Sequence, residues 1–133
     1  MEQQNHKDLF RELIHDDVAE FAKLVPKVKQ LVRVKPDGTP VIVCDSNNLS
    51  QQEQIIVYLT GRFFAKILEF SSTDSAKVKE ISLALRLPGN IVSARLVNLK
   101  DAMLVDQISK GEYKISTASL EKMLDQIIKK IGG

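Results

Sequence analysis

VKEISLALRLPGNIVSARLVNLKDAMLVDQISKGEYKI, residues 78 to 115, is the stretch whose reading decides the fold. Val78, Ile81 and Leu85 recur at i, i+3 and i+7, which predicts a helix over about 75 to 86. Leu87-Pro88-Gly89-Asn90 breaks it. Pro88 disfavours helical geometry at Leu87, and its fixed φ suits the start of a new helix. Val92, Leu96 and Leu99 then place a second helix over about 89 to 101. Its other side carries Asn90, Ser93, Ala94, Val97, Asn98 and Asp101, with Arg95 near the edge. Met103-Leu104-Val105 reads as the start of a strand. Ser109-Lys110-Gly111-Glu112 reads as a turn, with Gly111 able to adopt positive φ. Tyr113-Lys114-Ile115 returns as the second strand of a hairpin.

The flanking sequence is also patterned. Phe10, Leu13, Ile14, Val18, Phe21 and Val25 predict an amphipathic helix over 8 to 24, with Asp8, Glu12, Asp16, Asp17 and Glu20 on its other face. Pro26 ends or interrupts it. Leu31-Val32-Arg33-Val34 and Val41-Ile42-Val43-Cys44 flank KPDGTP and predict a β-hairpin centred on Asp37-Gly38. Ser50 and Glu53 have capping-box spacing and open the next helix. From Ile55 to Phe70 that helix is apolar on nearly every side, as expected of a central helix, and Gly61 in its middle permits close packing. SSTDS at 71 to 75 is a loop. Leu120, Met123, Leu124, Ile127, Ile128 and Ile131 predict a last amphipathic helix over 117 to 131. Its stripe suits either the chain's own core or a dimer seam two heptads long.

With these elements in order, residues 78 to 115 resemble the winged helix-turn-helix domain of prokaryotic transcriptional regulators, broadly of the MarR-like kind. The matching pattern is V-K-E-I-S-x-x-L-x-L-P, then V-S-x-x-L-x-x-L-x-x-A-x-L-V, then a hairpin. It covers about 40 residues. The family usually has Gly between its recognition helix and its wing, where this chain has Met103. The resemblance implies a mainly helical α+β fold: a winged helix over 50–116, an N-terminal helix and β-hairpin extension over 1–49, and a C-terminal helix over 117–133, in one domain. It implies sequence-dependent binding of duplex DNA by a transcriptional regulator acting as a homodimer. The second helix would enter the major groove. Asn90, Ser93, Arg95 and Asn98 are then the candidates for base edges or phosphates, with Ala94 also among the DNA-binding residues, because Asn pairs bidentately with adenine and Arg with guanine. Lys77, Lys79, Arg86, Lys100, Lys110 and Lys114 are candidates for phosphates. Such a regulator should gather Arg95, Lys110 and Lys114 into a basic stripe. Residues 74 to 114 hold seven Lys/Arg against five Asp/Glu, so that stripe depends on which cations share a face.

Two other readings stay open. A winged helix also serves as a docking module in protein assemblies, and exposed Val97 suits that role. A small-ligand sensor would need a cavity enclosed by the N-terminal extension beside Phe63, Phe64 and Cys44. Enzyme chemistry is not expected. His6 and His15 have no Cys/His cluster to complete a zinc site. Cys44 beside Asp45 has no supporting base and reads as a small hydrophobe. No phosphate-binding glycine pattern is present, and no cofactor is implied. The net charge of +2 does not by itself announce a nucleic-acid partner. MEQQNHKDLF lacks the basic and apolar regions of a signal peptide. No apolar run approaches the roughly 20 residues that span a bilayer. A single cysteine fits a reducing compartment, so the expected location is cytoplasmic.

Overall fold

The computed structural model describes residues 17–132. The part of the predicted first helix before Asp17 lies outside the described residues, as do His6 and His15. The architecture is mixed α and β, with six α-helices and two small antiparallel sheets among the described residues.

Helix α1 (Asp17–Ala22) is followed by a short α2 (Val25–Val28). The helix predicted to reach residue 24 therefore ends at Ala22, ahead of the proline. Pro26 stands in the first turn of α2, where its missing N–H has no helical partner to lose. Strands β1 (Val32–Val34) and β2 (Pro40–Ile42) pair antiparallel, Val32 against Ile42 and Val34 against Pro40. They are shorter than predicted. Val43 N–H still donates to the Leu31 carbonyl at 2.9 Å, whereas Cys44 lies beyond the ladder. In the turn, Gly38 has φ +89° and Asp37 accepts from the Thr39 amide at 2.9 Å.

Helix α3 (Gln51–Ile67) is the centre of the molecule. Its capping box is complete: Ser50 Oγ accepts from the Glu53 amide, and the Glu53 carboxylate accepts from the Ser50 amide. Ile55, Val57, Leu59 and Ala65 are wholly buried. At 1.5–3 kcal/mol for each large aliphatic group, such burial outweighs the poor helix propensity of its β-branched residues. The sheet β1–β2 lies directly on Gly61. A Cβ there would stand 2.6 Å from Pro40 Cβ and 2.9 Å from Val32 Cγ2, so only glycine allows the approach. The helix stops before Phe70 because Glu69 turns left-handed (φ +64°), and the Phe70 amide folds back to the Ala65 carbonyl.

Beyond a loop, β3 (Ala76–Lys77) leads into α4 (Val78–Leu85). The spacing predicted helix from about 75. Residues 76 and 77 are instead a strand paired with β5, Ala76 against Tyr113 and Lys77 against Glu112. Arg86 closes α4 in the left-handed region (φ +57°). Helix α5 (Gly89–Asp101) has the predicted bounds. Its end is a Schellman turn: the Leu104 amide donates to Leu99 O and the Met103 amide to Lys100 O, both at 2.9 Å. Met103 occupies the left-handed position (φ +63°) that glycine favours, so it belongs to the turn and not to the strand.

Strands β4 (Val105–Ser109) and β5 (Glu112–Ile115) follow, and the three-stranded sheet has the order β3-β5-β4. A 3₁₀ turn (Thr117–Ser119) precedes α6 (Leu120–Gly132), one turn later than the predicted start. Leu120, Met123, Leu124 and Ile127 are buried in the same core as α3 and α5. The first four residues of the stripe considered for a dimer seam are therefore covered by their own chain. Lys130 bonds Glu53 at 2.6 Å, and Lys27 bridges to Glu121 and Asp125.

No described helix is long and apolar enough to cross a membrane.

Candidate nucleic-acid interface

Helix α5 is held by one face. Val92, Leu96 and Leu99 are at most 1% exposed and lock its rotation. That rotation turns Asn90, Ser93, Ala94, Val97 and Asn98 to solvent together. These residues form an uncharged surface of mixed polar and apolar groups, with the exposed Asp101 at the C-terminal end of the same side. Arg95 stands at the edge, half-buried, and its Nε donates to Gln51 Oε1 at 3.1 Å. It shares a recess of about 400 Å³ with Ser50, Gln51 and Gln52, at the N-terminus of α3. Arg95 is thus braced against α3 and is not projected from the middle of the exposed face.

Arg86 lies on the hairpin side of the same helix end. With Lys35, Ser46, Gln54 and Tyr58 it lines a second recess, of about 460 Å³. The N-terminal turns of α3 therefore have one arginine on each side. The sequence offered no signal for Lys35 or Gln51, because both approach these arginines across the tertiary fold.

The sheet distributes the remaining cations. Residues paired in register project to the same side of a sheet. Lys77 with Glu112, and Asp106 with Lys114, therefore occupy one face, while Tyr113 and Ile115 point into the core. That face carries two lysines and two carboxylates. Glu112 also accepts from the Ser75 and Ser109 hydroxyls. The Ser75 bond outweighs the small effect of burial and, with Ser109 and Lys77, holds the Glu112 carboxyl below its ordinary value. Lys100, in the last turn of α5, donates to Gln107 Oε1 on β4 at 2.7 Å. Lys79 and Lys110 are exposed, the latter at the tip of the β4–β5 turn.

The expected basic stripe of Arg95, Lys110 and Lys114 does not form. Arg95 faces the start of α3, and Lys114 lies on the outer, mixed-charge face of the sheet. The strand register puts Asp106 beside Lys114, and spacing along one strand does not reveal that pairing.

The polar centre missed by the sequence reading is Arg62, which with Lys66 is one of two cations in the apolar stretch of α3. Its guanidinium donates to Ser75 O through Nε and Nη2, at 3.3 and 3.2 Å, and to Gly38 O at 3.1 Å. It also pairs with Glu80 at 3.5 Å. Tyr58 OH donates to the same carboxylate at 2.5 Å. Burial, reinforced by Glu80, holds the Tyr58 hydroxyl well above its ordinary value, so it serves as a fixed donor. This cluster joins the hairpin turn, the loop before β3 and α4. A charged residue inside an otherwise apolar helix was the available signal.

No group of three or more His, Cys, Asp or Glu among the described residues is placed to hold a metal. The most apolar recess, about 370 Å³, is an open groove lined by Phe64 but by neither Phe63 nor Cys44. Phe63 stacks edge-on between Phe21 and Phe64 instead. Among the described residues this groove is not the enclosed cavity beside Phe63, Phe64 and Cys44 that a ligand sensor would need. Compared with protein-family models, curated proteins and solved structures, the chain gives no significant match.

Proposed function

We propose that this chain binds duplex DNA in a sequence-dependent way, as a homodimeric transcriptional regulator built on a winged helix. The observation that carries the reading is the order α3-β3-α4-α5-β4-β5 with strand order β3-β5-β4, which sets an exposed helix face beside a projecting hairpin. In this reading α5 enters the major groove and offers Asn90, Ser93 and Asn98 to base edges, with Ala94 in apolar contact. Arg95 and Arg86, beside the start of α3, meet phosphates together with Lys79. Lys110 meets the backbone from the wing tip.

Fluorescence anisotropy of a labelled duplex of about 30 base pairs across a salt series tests it, because each phosphate neutralised contributes about −0.9 to the log–log slope. A steep slope is expected, with affinity lowered by Arg95→Ala. A folded protein that fails to bind at low salt would overturn the reading.

A specific observation favours a second reading, a docking module for another protein. Leu83, Val97, Met103 and Ile108 are 71%, 47%, 78% and 51% exposed, and all belong to the α4–β4 stretch. Together with the mixed-charge face of the sheet, they suit a protein surface better than a polyanion. Loss of all duplex binding at low salt would leave this reading in place.

A further inference from the structure

The open groove near the N-terminus is unlike the other recesses. Val18, Phe21, Val25, Val32, Phe64 and Leu68 contribute to its apolar wall. Val18, Val25 and Leu68 remain 61%, 47% and 52% exposed, large aliphatic surfaces with nothing over them among the described residues. Its charged lining residues are Lys29 and Arg33. Neither has a carboxylate partner among the described residues, whereas Lys23 pairs with Glu20 and Lys27 with Glu121 and Asp125.

The sequence of this same region is electrically polar. Residues 8 to 20 hold five carboxylates and one arginine, and residues 23 to 35 hold five Lys/Arg and no carboxylate. The apolar stripe that ends in the groove begins at Phe10, Leu13 and Ile14, and keeps one helical phase through Val18, Phe21 and Val25.

We propose that this groove is a self-association surface, in which the acidic, apolar-striped residues 8–20 of a second copy lie antiparallel on the groove beside Lys29 and Arg33. A two-fold axis makes such an interface self-complementary, since each copy supplies one acidic and one basic half. Charge complementarity selects the antiparallel sense; a parallel pairing would set carboxylates against carboxylates. A second copy fits better than the chain's own segment. Neither Gly nor Pro occurs between residues 8 and 25, so the usual turn residues for folding the segment back on its own groove are missing. The C-terminal helix does not compete for this role, because most of its stripe is already covered.

The inference takes up the homodimer of the preceding reading and identifies its surface, so it is measured with no DNA present. Sedimentation equilibrium of the full chain should give twice the 14.9 kDa monomer mass. Val18→Asp, at an exposed position, should return the chain to a monomer whose circular dichroism is that of the folded wild type and whose Tm no longer depends on protein concentration. Two charge-reversed chains, Glu12→Lys with Asp16→Lys and Lys29→Glu with Arg33→Glu, should each dimerise at least about tenfold more weakly. Mixed in equal amounts they should form a heterodimer. A monomeric wild-type chain would overturn the proposal. So would a dimer indifferent to all these changes, or two folded reversed chains that stay monomeric when mixed, the result expected if the segment covers its own groove. Loss of DNA binding with the dimer intact would count against the DNA reading alone.

Discussion

The two β-hairpins of this molecule have similar lengths and similar glycine turns, yet they serve opposite purposes. The β1–β2 hairpin lies flat on α3. Pro40 and Val32 press on Gly61, and Arg62 holds the turn through the Gly38 carbonyl. The β4–β5 hairpin is anchored by Tyr113 and Ile115 of β5, which are buried in the core, and only its turn end stands free. Only Val105 of the five β4 residues is buried, and Gly111 has open space around it. The difference teaches that the surface a hairpin meets decides whether it is structural support or a presented surface. A glycine beneath the first hairpin lets the side chains of Pro40 and Val32 rest on the helix backbone, and the free end of the second meets no such surface.

The largest effect should come from breaking the docked hairpin. Gly61→Ala improves helix propensity by about 1 kcal/mol, but its methyl would overlap Pro40 and Val32, and overpacking costs about 1–3 kcal/mol. We expect a net loss of stability in urea denaturation, with hydrogen-exchange protection lost first in β1 and β2. Unchanged stability would mean that the hairpin is not held by this contact.

A smaller change, of the opposite sign, should sharpen the projecting side. Met103 is 78% exposed and held at φ +63°, a region costing a non-glycine residue about 1–2 kcal/mol. Met103→Gly should therefore raise thermal stability by about 1 kcal/mol, less the flexibility gained by the unfolded chain. A lowered Tm would show that the exposed methionine makes a contact worth more than the strain.

The smallest effect compares both hairpins in acid. Asp37, in the docked turn, is held below its ordinary 3.8 by the backbone and side-chain bonds with Thr39. Glu112, in the projecting sheet, is held below its ordinary 4.5 by Ser75 foremost. A carboxyl lowered in the folded state contributes stability that is complete above its ordinary value and is lost as pH falls through the folded value. NMR titration should find both carboxyls below those values. Glu112→Gln should flatten the acid dependence beginning below about 4.5, and Asp37→Asn the part beginning below about 3.8. Ordinary titration of Glu112 would mean that the Ser75 bond does not persist in solution.

Much of the local fold was legible in the sequence. The bounds of α5, its buried triad, the capping box of α3, the glycine at the hairpin contact and the two turns are signals carried within a few residues. Strand β3 was not legible, because Ala76-Lys77 is too short to show alternation and exists through its pairing with β5. The end of α3 and the start of β4 were displaced because Glu69 and Met103 adopt a conformation for which neither residue type is a signal. The candidate interface was legible only in part. Its neutral face on α5 followed from periodicity. The bracing of Arg95 by Gln51 and the placing of Asp106 beside Lys114 did not, because both join residues brought together by separate elements.

The amino-acid sequence by itself determined where most helices and turns fall and which side of each helix is buried. Hydrophobic period, caps and breakers act over one or two turns of chain and need no distant partner. Only the tertiary structure decided which charges meet, which hairpin is docked and which apolar surface is left open. Those outcomes depend on strand register and on approach distances of a few ångströms, and neither is encoded within a single segment.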